Sequence, residues 1–361
     1  LPTLLPSLIA EFQISHSAAG MLVASFALPY ALFQIPFGYL SDRKGRKRIM
    51  LLGLLLYSFA TLSGGLSQNI LQLAFTQFLA GIGGASYHPI GITLVSFVVS
   101  RKRLGQGQGF HQTGGAVGSF IAPILSAYIG TAFNWRYSFI LLSLFGLVNA
   151  LVVLLGMAEP SLTDSQEEKG KDAAKIRFDS KLLGLTLLLS CFGFLYIITF
   201  RALQSFLTTY ATEKYALGLE SAAQLLALLQ IVGIFGGPLA GRLSDAIGRK
   251  TTLFILVLCQ SVVMYSITYA PLTILAVLLG VMGLAAFGTL AVADGWVTGM
   301  NLRAVMGTVI GCTSTASYLA GAVVAPAVGF LADQFGFDFS FRVLAITALI
   351  ALPILKSIKD T

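Results

Sequence analysis

The chain has 361 residues, 56% of them hydrophobic and only 11% charged, and its mean hydropathy is +0.84. Soluble domains carry about 25% charged residues, so this composition excludes an ordinary soluble protein and points to an integral membrane protein. The net charge of +8 would suit nucleic acid only as a surface patch, and the basic residues fall instead in short turns between apolar runs.

A spanning helix needs about 20 apolar residues. The chain opens on an apolar stretch, 1–12, that gives only about 18 Å of helix. With no starting Met, it reads as the end of a truncated first span. Further apolar segments follow at 17–41, 48–66, 69–99, 106–132, 137–157, 182–211, 221–244, 251–269, 271–299, 304–332 and 339–355. The pattern predicts an all-α integral membrane protein of twelve spans. One long hydrophilic segment, 158–180, reads as a solvated linker between two six-span halves, 1–157 and 181–361. If the turn at 43–48 is cytoplasmic, 19 Lys and Arg lie on that side and three, Arg136, Lys214 and Arg342, on the other, with Arg201 inside a span. That asymmetry places both ends in the cytoplasm of a multi-pass cell-membrane protein. The basic excess then meets anionic lipid, with no nucleic-acid partner. Cys191, Cys259 and Cys312 sit in separate apolar runs without metal or redox spacing. They read as small core residues, and no metal or cofactor is expected.

The second span ends in "GYLSDRKGRK", 38–47, and a near copy, "GRLSDAIGRK", occupies 241–250. The two match at seven of ten positions. Internal repeats in a membrane protein are a signature of secondary transporters. Gly38 and Gly241 are expected to let neighbouring helices approach closely. Asp42 and Asp245 are expected to end their helices at the membrane surface, facing a helix N-terminus or pairing with a nearby Arg.

The first decapeptide resembles the signature loop of the major facilitator superfamily, and the second resembles its degenerate copy in the other half. The resemblance covers nearly the whole chain. It implies the major-facilitator fold, with two pseudo-symmetric six-helix halves and alternating access. It also implies a gating loop in which Asp42 and Arg46 latch the outward-open state. A second stretch, "GFHQTGGAVGSFIAPILSA", resembles the superfamily's antiporter motif. Gly109, Gly118, Ala122 and Pro123 keep its spacing, although Ala122, Ser126 and Ala127 replace glycines, and antiport is implied. His111, Gly115, Gly118, Ala122 and Ser126 share a thin face expected to pack tightly, with Pro123 offering a bend. "GIGGASYHPIG", "HQTGGAVG" and Arg201 in "FRALQSFLTTY" resemble the fosmidomycin-resistance branch, which implies drug:proton exchange.

Ionisable side chains inside spans are costly and mark function; the candidates are His88, His111, Arg201 and Asp294. His88 lies about 18 Å in and is a candidate proton carrier. His111, about 9 Å in, is expected to be too shallow to meet it. Asp294 is a third proton-coupling candidate. Arg201 is a fixed cation suited to a carboxylate or phosphate. Gln204, Ser205 and Thr208 share its face, and Gln34, Gln77, Gln112 and Gln230 complete the candidate substrate contacts. No phosphate loop, HExxH or nucleophile elbow occurs, so no enzyme is expected, and the energy source must be a gradient. The reading is a monomeric, proton-coupled exporter of a small, anionic compound. The alternatives are an uptake symporter or uniporter for an organic anion, a lipid flippase, and a receptor that transports nothing.

Overall fold

The computed structural model describes residues 1–99, 103–157, 180–300 and 306–358. All but the last residue of the expected linker, 158–180, lies outside them. A short turn of 3-10 helix, Pro2–Leu4, leads into α1 (Leu5–Phe12) and α2 (His16–Lys44). The first half of the chain continues through α3 (Arg46–Gly65), α4 (Ile70–Gly84), α5 (Tyr87–Val98), α6 (Leu104–Ala132) and α7 (Trp135–Gly156). The second half holds α8 (Ser180–Tyr215), α9 (Leu219–Gly233), α10 (Gly236–Ile247), α11 (Arg249–Ile267), α12 (Leu272–Gly299), α13 (Met306–Phe335), α14 (Phe337–Ala348) and α15 (Ala351–Ser357). The described residues contain no strand, and eleven stretches of helix are long and apolar enough to cross a membrane.

Three expected spans are each built of two pieces. The segment 69–99 becomes α4 and α5, 221–244 becomes α9 and α10, and 339–355 becomes α14 and α15. In all three the second piece carries a proline at its third position: Pro89, Pro238 and Pro353. Proline has no N–H for the carbonyl four residues earlier, and its ring crowds that carbonyl. The carbonyls so affected belong to Ala85, Ile234 and Leu349, which lie in the breaks themselves. Pro29 and Pro36 in α2, Pro123 in α6 and Pro326 in α13 stay within continuous helix.

The repeated decapeptide is a repeated turn. A single residue joins α2 to α3 and another joins α10 to α11. These residues are Gly45, at φ 97°, and Gly248, at φ 87°. A side chain at such angles costs roughly 1–2 kcal/mol, which accounts for glycine at both places. The matching serines, Ser41 and Ser244, are both buried. The close approach expected at the repeat's first glycine is absent. A Cβ on Gly38 would make an ordinary contact with Pro89 at 3.7 Å, and one on Gly241 would meet nothing within 4 Å.

The chain forms two compact units. One comprises Leu1–Val23, Ser119–Ile124 and Arg177–Thr361, and the other Ala24–Gly118 and Leu125–Ile176. The first twenty-three residues thus cluster with the later part of the chain. In the second unit α3 packs between α4 and α7. The outward side of α7 shows Leu144, Phe145, Val148, Leu151, Val152 and Leu155 exposed, an apolar surface of the kind lipid covers. In the first unit α8 packs on α13, and α12 receives α9, α10 and α11. Phe206, Tyr210, Phe337 and Phe341 fill one end of that unit with aromatic contacts. Lys214 closes this end by donating to Asp338, to the Tyr210 hydroxyl and to the Thr268 carbonyl. The cysteines are not core residues: Cys191 and Cys312 are exposed and Cys259 is half-buried, because apolar positions in such helices can face outward.

The start of α2 rests directly on α13. A Cβ on Gly20 would lie 2.3 Å from the Ala325 carbonyl oxygen, and one on Gly329 would lie 2.1 Å from that of His16. These glycines let two backbones touch, a device typical of membrane helices.

Candidate functional site

Arg201 lies in the second half of α8, half-buried. Its Nη1 donates to Gln204 Oε1, one turn on, at 2.8 Å. The guanidinium carbon lies 5.3 Å from the centre of the Tyr318 ring on α13, within cation–π range. A Cβ on Gly321, one turn beyond Tyr318, would make an ordinary contact with Arg201 Cδ at 3.5 Å. Roughly a turn earlier on α8 Tyr196 is buried, and Ser317 of α13 donates to the Gly193 carbonyl of α8 at 3.5 Å. Asp294, on α12, is exposed. Two helices of the first unit, α8 and α13, therefore bring together a fixed cation, an amide and a tyrosine.

The other expected contacts are distributed differently. Ser205 and Thr208 are buried, and Thr208 Oγ1 donates to the Pro2 carbonyl at 3.0 Å. Thr208 therefore holds the amino-terminal turn, because the first residues of the chain pack on that side of α8. Gln77 is buried, with its Nε2 3.5 Å from a Cβ position on Gly64, which places it in the α3–α4 interface. Gln34 Nε2 and Gln230 Oε1 are buried without a hydrogen-bond partner among the described residues. Such atoms ordinarily find one in water or ligand. Gly109 and Gln112 fall on α6, and the Gln112 side chain lies outside the described part.

The two deep histidines lie on α5 and α6. The His111 ring stacks on Tyr87, 5.5 Å between centres and 26° between planes. A Cβ on Gly91 would come 2.9 Å from His111 Cε1. The bare surface at Gly91 admits the His111 imidazole. The tight packing expected of the α6 glycine face is not made in its first half. A Cβ on Gly114, Gly115 or Gly118 would meet no atom within 4 Å. Farther along, Ser126 and Ala127 are buried, and Ser138 Oγ donates to the Ser126 carbonyl at 2.8 Å.

The two copies of the repeated loop differ in their charges. Arg46 is 2% exposed, and its Nη2 donates to Asp42 Oδ1 at 3.0 Å. Asp245 and Arg249 are both exposed. Asp42→Asn is therefore expected to cost about 2 kcal/mol by depriving a buried guanidinium of its anion. Asp245→Asn should stay within about 0.5 kcal/mol. Thermal unfolding of the two variants in one detergent distinguishes them.

One cluster escaped the sequence reading. His16 Nδ1 lies 2.9 Å from Asp333 Oδ1, and Nε2 lies 2.8 Å from Glu213 Oε1. Asp333 also accepts from the backbone N–H of His16 and of Ser17, both at 2.8 Å, and from Ser17 Oγ. The carboxylate of α13 thus caps the N-terminus of α2. Each residue sits at the end of a span, where charge is unexceptional. Loop alternation, which places all three ends on one side, was the signal available.

Membrane-crossing helices with an internal repeat, and ionisable groups held inside the bundle, define a solute transporter. A family model described as Major Facilitator Superfamily matches residues 1–321 and 234–359. The chain belongs to that superfamily and is a multi-pass membrane transporter, not an enzyme. It is 27% identical over 351 residues to the probable 4-methylmuconolactone transporter of Cupriavidus pinatubonensis, covering 92% of this chain and 79% of that protein. It is 26% identical over 358 residues to the cis,cis-muconate transport protein of Acinetobacter baylyi, covering 94% and 84%. A solved bacterial homologue of the human lysosomal transporter Spinster, inward-facing and occupied, shares the fold with a TM-score of 0.82 at 18% identity, covering 99% of this chain and 92% of that one. Neither of the two relatives belongs by name to the fosmidomycin-resistance branch that the His88 and Arg201 segments resemble.

Proposed function

We propose that the protein takes up a small organic anion by alternating access, with Arg201 as the anchor for its carboxylate. The observation that carries this reading is Arg201 itself, a permanent cation inside a membrane-crossing helix. Its planar fork matches a carboxylate, and Gln204 and Tyr318 fix its orientation. The cis,cis-muconate transport protein, similar over 94% of this chain, supports an anionic cargo. The halves 1–157 and 181–361 rock against each other. The loops carrying Gly38, Asp42 and Arg46, and Gly241, Asp245 and Arg249, gate the basic, cytoplasmic end. Protons are the coupling ion, with His88, His111 and Asp294 as carriers, and the working unit is a monomer. A second reading, export by antiport, draws on the motif at Gly109, Gly118, Ala122 and Pro123. The open space beside Gly118 gives it less support.

Flux in liposomes reconstituted with the purified protein tests both. An inward proton gradient is expected to accumulate labelled cis,cis-muconate about tenfold above protein-free vesicles, and the neutral diester should not accumulate. Diester carried as well as the acid removes the anion reading. Acid moved only against an opposing proton flux replaces uptake by export.

A further inference from the structure

Neutral imidazole has one N–H and one lone pair. Both nitrogens of His16 face carboxylate oxygens, at 2.9 Å and 2.8 Å. Ionised carboxylates only accept. Asp333 already takes three donors from His16 and Ser17, so it is ionised. The arrangement therefore closes only when the His16–Glu213 pair holds one proton more than a neutral imidazole and a carboxylate would. The donor count itself makes a proton the species bound. The ring is 23% exposed and its edge meets Phe337 at 4.8 Å, so solvent can exchange that proton.

The remaining charges around the ring are accounted for. On α8, Lys214 follows Glu213 but donates to Asp338 of α14 at 2.8 Å. On α13 the facing group is Asp333, and on α14 the contact is Phe337, with Asp338 occupied by Lys214. On α2 itself Ser17 adds a hydroxyl, and the preceding helix α1 carries Glu11. The clasp joins three helix ends: α2 begins in the first unit and continues into the second, whereas α8 and α13 stay in the first after residue 177.

We propose that His16 is a proton-binding site of the transport cycle, its imidazolium clasping the ends of α8 and α13 and its deprotonation to solvent freeing the start of α2. The cluster is separate from Arg201 and does not depend on what the cargo is. Below the titration range of the imidazole the clasp is closed. As pH rises through that range one nitrogen becomes a lone pair aimed at a carboxylate, and attraction turns to repulsion.

The test uses the full chain with Cys191, Cys259 and Cys312 replaced by Ala and spin labels at Gln13→Cys and Phe335→Cys, read by pulsed electron resonance in lipid nanodiscs. In this parent the short-distance population is expected to fall at least about threefold between about pH 5 and about pH 9. Added Glu213→Gln should hold it high at both pH values, because the new amide donates to the neutral imidazole. Added His16→Ala should hold it low at both. A parent population that does not change with pH, or either variant titrating like the parent, overturns the proposal.

Discussion

Arg201→Gln is expected to lower transport of an organic anion about 100-fold, the equivalent of roughly 2.7 kcal/mol of charge-assisted binding. The substitution keeps a polar side chain of moderate length beside Gln204 and Tyr318, and removes only the charge and the planar fork. Arg201→Lys restores the charge but not the paired donors, so it should recover part of the loss and settle about tenfold below the natural protein. Thermal unfolding of the same variants provides the control. Tyr318 packs α13 against this side chain, but packing alone does not discriminate charge. Equal losses for an anion and for its neutral ester would mark Arg201 as a packing residue. A loss confined to the anion marks it as the anchor.

Gly329→Val is expected to destabilise the protein by about 3 kcal/mol, near the upper end for overpacking, and to lower its unfolding temperature by roughly 5 °C. Even the first carbon would lie 2.1 Å from the His16 carbonyl oxygen. That neighbour is backbone, so it cannot rotate away as a side chain end would. The start of α2 must lift off α13, which also pulls His16 from Asp333 and Glu213. Gly114→Val makes the contrast. It adds the same side chain in a helix where a Cβ meets nothing within 4 Å, so its effect should stay under about 1 kcal/mol.

Most of the fold was legible because membrane helices announce themselves by length and hydropathy, and because the repeated decapeptide gave two fixed points in the chain. The three helix breaks were legible in principle, since Pro89, Pro238 and Pro353 each remove a donor from the carbonyl four residues before. They were missed because hydropathy continues through a break. Arg201 and Gln204 follow from spacing on one helix. Tyr318 and Gly321, from a distant helix, do not. His16, Asp333 and Glu213 were invisible singly, since each is an ordinary charged end, and only the α2–α13 crossing brings them together. Thr208 shares a helical face with Arg201, but the packing of the first residues of the chain against α8 decides what that face touches.

The most direct test is equilibrium binding of an organic carboxylate and of its methyl ester to the purified protein and to Arg201→Gln. The natural protein should prefer the carboxylate by about 10- to 100-fold, and the variant should bind the two alike. A preference that survives Arg201→Gln, or an ester bound as tightly as the acid by the natural protein, would contradict Arg201 as the anion anchor.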